Sequence, residues 1–195
     1  GTIELFQNYF DTMDEEKPKE FLNYLQNDAE RLQKLVNRLL GMARADVFKP
    51  GDESTGLMSH LQSMKELYAE RKLVIDLPSN NPEVQVPISP EILSTIFSNL
   101  FDNSVQHGAS QVSFEWKTDE FIQVQYHDNG KGVSQANADK IFTPFFTTLR
   151  DEGGTGLGLP IIKTLIEAHD GQIEWQRSDS GAVFILRLPS SIPLS

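Results

Sequence analysis

Three short clusters stand in fixed order between Asn99 and Leu159: N-L-F-D-N at Asn99 to Asn103, D-N-G-K-G at Asp128 to Gly132, and G-T-G-L-G-L at Gly154 to Leu159. Any one of them alone is weak, because small glycine clusters arise by chance in many loops. The combination offers amide oxygens suited to a metal, a carboxylate suited to the edge of a base, and bare backbone amides suited to phosphates. Those are the parts of a nucleotide pocket.

The first cluster lies on a predicted helix. Ser89 is a good N-cap and Pro90 suits the first helical position, where a missing N–H costs nothing. Ile92, Ile96 and Leu100 recur every four residues, widened by Leu93 and Phe97 into a core-facing stripe, and the pattern runs to His107. On the other side Asn99, Asp102, Asn103 and Gln106 follow at i, i+3, i+4 and i+7. Such a stripe is either a solvated face or a binding face. Two Asn one turn apart favour binding, because Asn is a poor helix former while its carbonyl oxygen is a hard ligand suited to Mg²⁺.

A strand precedes the second cluster. Ile122, Val124, Tyr126 and Asp128 share one face by the period of two, so a carboxylate ends an apolar row. A half-buried carboxylate needs donors, and an exocyclic amine is one. Asp128 also suits an Asx-turn with Asn129 and Gly130, and the two readings are compatible. Gly130 and Gly132 permit a tight turn and leave room for a flat ring. The third cluster feeds a helix: Pro160 falls in its first turn, Ile162, Leu165, Ile166 and His169 follow at helical spacing, and Gly171 suits the stop. A glycine-rich turn at a helix N-terminus favours anions. It is neither a Walker A loop, since no Gly-Lys-Ser/Thr follows, nor a dinucleotide-binding G-x-G-x-x-G.

Taken together, the three clusters resemble the N, G1 and G2 boxes of the GHKL ATPase and kinase superfamily, in the version similar to bacterial sensor histidine kinases. I-F-T-P-F-F-T-T at Ile141 to Thr148 supplies the matching F box, and the resemblance covers about Lys19 to Pro189. It implies a cofactor set of ATP and Mg²⁺. Asn99 and Asn103 would hold Mg²⁺ and phosphates, with Gln106 and His107 closing that stretch of the pocket. Asp128 would accept a hydrogen bond from the adenine amine while Gly130 and Gly132 shape the base site. Gly154, Thr155, Gly156, Leu157 and Gly158 would form the phosphate run, and Phe142, Phe145 and Phe146 would anchor a mobile lid over ATP, unless they are ordinary core aromatics. The chain also departs from the pattern. Gln106 stands where relatives often carry Lys, so Arg150 is the leading candidate for the missing cation and Lys140 the second, unless both are merely solvated.

The resemblance also bears on the first fifty residues. Leu22, Leu25, Ala29, Leu32, Leu35 or Val36, Leu39 and Ala43 follow a three-and-four rhythm over Lys19 to Asp46. Thr2 to Met13 is a shorter helical piece and D-E-E-K-P the turn between them, an antiparallel hairpin whose first helix is truncated. In histidine kinases that helix carries the phosphoacceptor H box and the hairpins dimerise. None of His60, His107, His127 and His169 fits such a box, so all four read as structural or surface residues and the phosphoacceptor is expected outside this chain. The expected divisions are residues 1–48 for the hairpin, 49–56, which holds K-P-G-D, for a linker, 57–190 for the catalytic ATP-binding domain and 191–195 for a tail.

Helices are predicted near 57–71, 90–107 and 159–170, and strands over 73–77, 84–88, 112–116, 121–127, 172–176 and 182–188. The fold class expected is α+β: a two-layer α/β sandwich of the Bergerat type, a mixed sheet covered by three helices and preceded by the hairpin. The stretch 134–155 is the only long irregular segment, and long loops in compact domains tend to be functional. A net charge of -11 disfavours nucleic acid and anionic membrane surfaces. The absence of cysteine excludes disulfides and thiolate zinc sites. No apolar run approaches a membrane span. The resemblance implies a cytoplasmic setting, as the cytosolic part of an inner-membrane sensor, with a second copy and a response-regulator receiver domain as partners. Two activities stay open: an ATP-dependent protein-histidine kinase whose fragment here cannot autophosphorylate, and a GHKL ATPase or serine-directed GHKL kinase. The ATPases place a Glu where this chain has Asn99, and Asn cannot act as the base that activates water.

Overall fold

The computed structural model describes residues 22–23, 25–26, 53–150 and 153–190. The chain divides into two units, Gly1–Leu40 and Gly41–Ser195. Of the expected hairpin only Leu22, Asn23, Leu25 and Gln26 are described, and they are helical. The remainder of residues 1–48, and the tail 191–195, lie outside the described residues.

In the second unit the elements run β1 (Thr55–Gly56), α1 (Leu57–Ala69), β2 (Val74–Asp76), β3 (Gln85–Val86), α2 (Pro90–Gln106), β4 (Gln111–Thr118), β5 (Phe121–Asp128), α3 (Gly158–Glu167), β6 (Gln172–Gln176) and β7 (Val183–Pro189). Five strands form one sheet in the order β2-β4-β5-β7-β6. Its β2–β4 pair is parallel and the other three are antiparallel. The strand expected at 84–88 is not in this sheet. Gln85 and Val86 pair instead with Gly56 and Thr55, two residues of the expected linker. A two-residue strand carries too little pattern to be read, and the Thr55 hydroxyl, donating to the Ile88 carbonyl at 2.6 Å, secures the pairing.

Strand alternation makes the sheet one-sided. Val112, Phe114 and Trp116 on β4, Ile122, Val124 and Tyr126 on β5, and Phe184, Leu186 and Leu188 on β7 are all buried, and the register aligns Tyr126 with Phe184, Val124 with Leu186 and Ile122 with Leu188. Against that face α2 lays Ile92, Leu93, Ile96, Phe97, Leu100 and Phe101. Phe97, Phe101, Phe114 and Tyr126 meet mostly edge to face, with ring centroids 5.3 to 6.4 Å apart. The result is the two-layer sandwich expected, with the end of β5 running under α2.

Helix ends follow the local chemistry in part. Ser89 caps α2, its hydroxyl accepting from Ile92 N at 3.4 Å. α1 has no cap of its own and borrows one, since the Glu83 carboxylate accepts from Met58 N at 2.8 Å and Ser59 N at 3.0 Å. Beyond α3 the left-handed residue is Asp170, at φ 57°, and not the expected Gly171. Gly171 serves a different need: a side chain there would run into Ile166 and the Arg187 carbonyl where the chain enters β6.

Candidate functional site

Asp128 ends β5 almost fully buried, and its carboxylate is fully engaged by the protein on one oxygen and half engaged on the other. Oδ1 accepts from Gly130 N at 2.9 Å and Ala182 N at 3.0 Å. Oδ2 accepts from the Ser104 hydroxyl at 2.6 Å. Ser104 Oγ is also 2.7 Å from the Tyr126 hydroxyl. Burial, reinforced by the charge of Asp128, pushes the Tyr126 phenol well above its ordinary range, against the opposing pull of its bond to Ser104. A buried charge is tolerable with this many donors. The Asx-turn is present, as Gly130 N shows, and Asn129 adds to it by accepting from Ser110 N and Gln111 N at 2.9 and 3.0 Å.

Glycines set the close approaches. Gly181, at φ 67°, lies so near that a Cβ would overlap the Asp128 carbonyl. A Cβ on Gly132, at φ 69°, would come within 2.6 Å of the Gly181 carbonyl. The turn after β5 and the turn before β7 are therefore backbone against backbone. Gly130 sits 3.0 Å, by the same measure, from the His107 carbonyl, which in turn accepts from Lys131 N at 3.1 Å. His107 thus enters the site through its backbone.

The first and third clusters meet directly. A Cβ on Gly158 would lie 3.0 Å from Asn103 Oδ1 and 3.4 Å from Asn99 Oδ1, so the missing side chain lets the start of α3 sit on the Asn pair. Asn99 is buried and gives its amide N–H to the Thr95 carbonyl at 2.8 Å, which leaves the oxygen for the α3 side. Two hard amide oxygens beside an uncapped helix N-terminus suit Mg²⁺ in a metal–phosphate assembly, since Mg²⁺ takes few protein ligands and keeps water and phosphate for the rest. Asn99 and Asn103 fit that role. No group of three His, Asp or Glu able to hold a metal occurs among the described residues.

Gly156, at φ 67°, packs on the backbone of Phe145 and Phe146, and its carbonyl accepts from Phe145 N at 2.9 Å. Gly154 packs on Thr147 and Leu149, giving its N–H to the Leu149 carbonyl at 2.8 Å. The third cluster is thus tied to the F box. Leu157 is fully buried, and Leu157 N donates to Thr155 Oγ1 at 3.4 Å. The three phenylalanines differ. Phe142 stands edge to face with Phe184, its ring centroid 6.5 Å away, and Lys163 Nζ lies 5.8 Å over its ring. Phe146 is half-buried, while Phe145 is 59% exposed at φ 65°. Gln106, Lys140 and Arg150 are exposed.

Asp102 leaves the polar stripe. Its carboxylate faces α1, 2.8 Å from Arg71 and 3.1 Å from the Tyr68 hydroxyl, and burial together with Asp102 raises the Tyr68 phenol. Four participants escaped the sequence reading: Ser104, Tyr126, Gly181 and Ala182. One signal was available, because Ser104 continues the Ile92, Ile96, Leu100 stripe; a hydroxyl on a core face needs a buried partner.

The chain is 28% identical over 172 residues to the sensor histidine kinase ZraS of Escherichia coli strain K12, covering 85% of this chain and 36% of that protein. It is 29% identical over 196 residues to the sensor protein kinase WalK of Staphylococcus aureus, covering 92% of this chain and 46% of that one. The chain therefore spans less than half the length of either relative. A solved structure of the histidine kinase ThkA in complex with the response regulator protein TrrA superposes with a TM-score of 0.72 at 20% identity, over 98% of this chain and 58% of that one, a likeness of fold. The family profile of histidine kinase-, DNA gyrase B- and HSP90-like ATPases matches residues 88–192, from the strand-to-helix turn before α2 to beyond β7, and the chain belongs to that family.

Proposed function

We propose that this chain is the ATP-binding catalytic portion of a sensor histidine kinase. It binds Mg-ATP and delivers the γ-phosphate to a histidine on a dimerisation helix for relay to an aspartate of a response regulator. The observation that carries the reading is the buried Asp128 carboxylate. It accepts three hydrogen bonds from the protein, while a carboxylate has about four acceptor sites, and an adenine amine completes the set. Asn99 and Asn103 hold Mg²⁺, which neutralises charge on the phosphate oxygens. The phosphates lie at the start of α3, where the N–H groups of Gly158 and Leu159 have no intrahelical acceptor. Gly130 and Gly132 shape the base site, and the F box with Gly154 and Gly156 forms the root of a lid. Arg150 is the cation that reaches the phosphates when the lid closes.

The ATPase alternative needs a carboxylate base in the first cluster. Its one carboxylate, Asp102, is held by Arg71 and Tyr68 against α1, and Asn99 is no base. The wider setting belongs to the same proposal: residues 1–48 as a dimerisation hairpin joined by a linker, with a second copy and a receiver domain as partners. The placement is the cytosolic side of an inner membrane. Among the described residues no helix is long and apolar enough to cross one.

Because phosphoryl transfer needs a nucleophile held in line with the γ-phosphate, the chain should bind Mg-ATP and hardly consume it. Supplied with a longer form of the same protein, its upstream helix present and its own ATP site disabled, the chain should label that partner. The label should be acid-labile and alkali-stable, as a phosphohistidine is. Brisk phosphate release by the chain alone, or an acid-stable phosphoester, would overturn the proposal.

A further inference from the structure

Resting on that nucleotide-binding reading, we infer that Ser104, backed by Tyr126, is the positioning residue that makes the pocket select a base bearing an exocyclic amine. Counting protons gives the hydroxyl chain a direction. The ionised Asp128 carboxylate only accepts, so the single Ser104 proton goes to Oδ2 at 2.6 Å. Ser104 Oγ must then receive, and the partner 2.7 Å away is the Tyr126 hydroxyl, which its burial keeps protonated. The order is Tyr126 to Ser104 to Asp128, each bond polarising the next.

That chain decides what the carboxylate can still bind. Both acceptor sites of Oδ1 are taken by Gly130 N and Ala182 N, and one site of Oδ2 is taken by Ser104. The remaining site is an acceptor on a carboxylate held at both oxygens, one by the ends of β5 and β7 and the other by α2. An amine at that point gains a charge-assisted hydrogen bond, and a keto oxygen meets a lone pair that cannot turn away. Without the Ser104 hydroxyl, Oδ2 is free to take water in its place, and the carboxylate's preference for an amine weakens. Ser104 is fully enclosed and Tyr126 has no exposed surface, so their effect on ligand passes through Asp128.

The test is calorimetry on the whole chain with ATP and with purine riboside triphosphate, which is ATP without the exocyclic amine. The quantity read is the ratio of the two affinities. Ser104→Ala should shrink the advantage of ATP by about tenfold, the order expected for a hydrogen bond to a charged group. Tyr126→Phe, which keeps the ring in the core, should shrink it a few-fold in the same direction and carries the test if the first variant does not fold. Ser104→Thr, which retains the hydroxyl, should restore it. If Ser104→Ala and Tyr126→Phe weaken both nucleotides equally, the residues only pack and the inference is overturned. Asp128→Asn separates the two levels: if it abolishes the advantage of ATP while the hydroxyl variants keep it, the inference alone fails. If it too leaves the advantage intact, the base-site reading fails with it.

Discussion

Replacing Gly181 by Ala tests whether the base site depends on backbone contact. Gly181 is at φ 67°, and its Cβ would overlap the Asp128 carbonyl and come within 3.1 Å of Asn129 Cα. Both obstacles are backbone, so no side-chain rotation relieves them. A left-handed residue with a Cβ costs about 1–2 kcal/mol by itself. Separating the strands here also breaks the bond from Asp128 N to the Ala182 carbonyl and the one from Ala182 N to Asp128 Oδ1, both 3.0 Å. The first is worth about 1 kcal/mol and the second, to a buried charge, about 1.5–3 kcal/mol. Together the cost is about 3.5–6 kcal/mol. Gly108→Ala is the control, because Gly108 is at φ 80° with nothing within 4 Å of its Cβ position, and it should cost only the backbone term of about 1–2 kcal/mol. Urea unfolding followed by tryptophan fluorescence reads the second unit alone, since both tryptophans, Trp116 and Trp175, lie there. For a domain of this size the Gly181 variant should melt about 7–24 °C lower and bind ATP poorly at temperatures where it is still folded. Equal losses for the two variants would show that the contact between the two turns is not the constraint.

Asp128→Asn should weaken ATP binding by about 1.5–3 kcal/mol, roughly 10- to 150-fold, because the amide presents a donor to the amine. GTP should bind poorly even to the natural chain, and equal ATP and GTP affinities by calorimetry would refute the assignment. Asn99→Ala should keep adenine recognition and lose most of the gain in ATP affinity on adding Mg²⁺; an unchanged gain would move the metal elsewhere. Asp102→Asn should leave ATP affinity within twofold while lowering stability by about 1 kcal/mol or less, since its partner Arg71 is largely exposed. A tenfold loss of ATP affinity would return Asp102 to the site. His60, 3.3 Å from the Ser94 hydroxyl, has its pKa lowered by burial against the opposing pull of Glu91. The unfolded chain then binds the proton more readily, so stability should fall as pH drops through about 6.5, and His60→Gln should flatten that slope in urea titrations. An unchanged slope would place the dependence on other groups.

What the sequence determined by itself was local. The three-and-four stripe of α2, the Ser89–Pro90 start, the alternating row ending in Asp128 and the glycine turn feeding α3 each depend on residues a few positions apart, where periodicity and turn chemistry act. Those patterns also carry the order of the clusters, and with it the resemblance and the class of fold. Tertiary structure decided the partners. Asp128 finds Ser104 because β5 runs under α2, and Ala182 because β7 pairs with β5, contacts that span 24 and 54 residues. Gly158 is small because α3 lands on Asn99 and Asn103, and Asp102 turns away because α1 offers Tyr68 and the turn after it offers Arg71. A short stretch such as Gln85–Val86 takes whichever edge is within reach, here Thr55–Gly56. None of this is encoded by spacing along the chain, because hydrogen bonds and close backbone contacts are settled by which elements the core brings together.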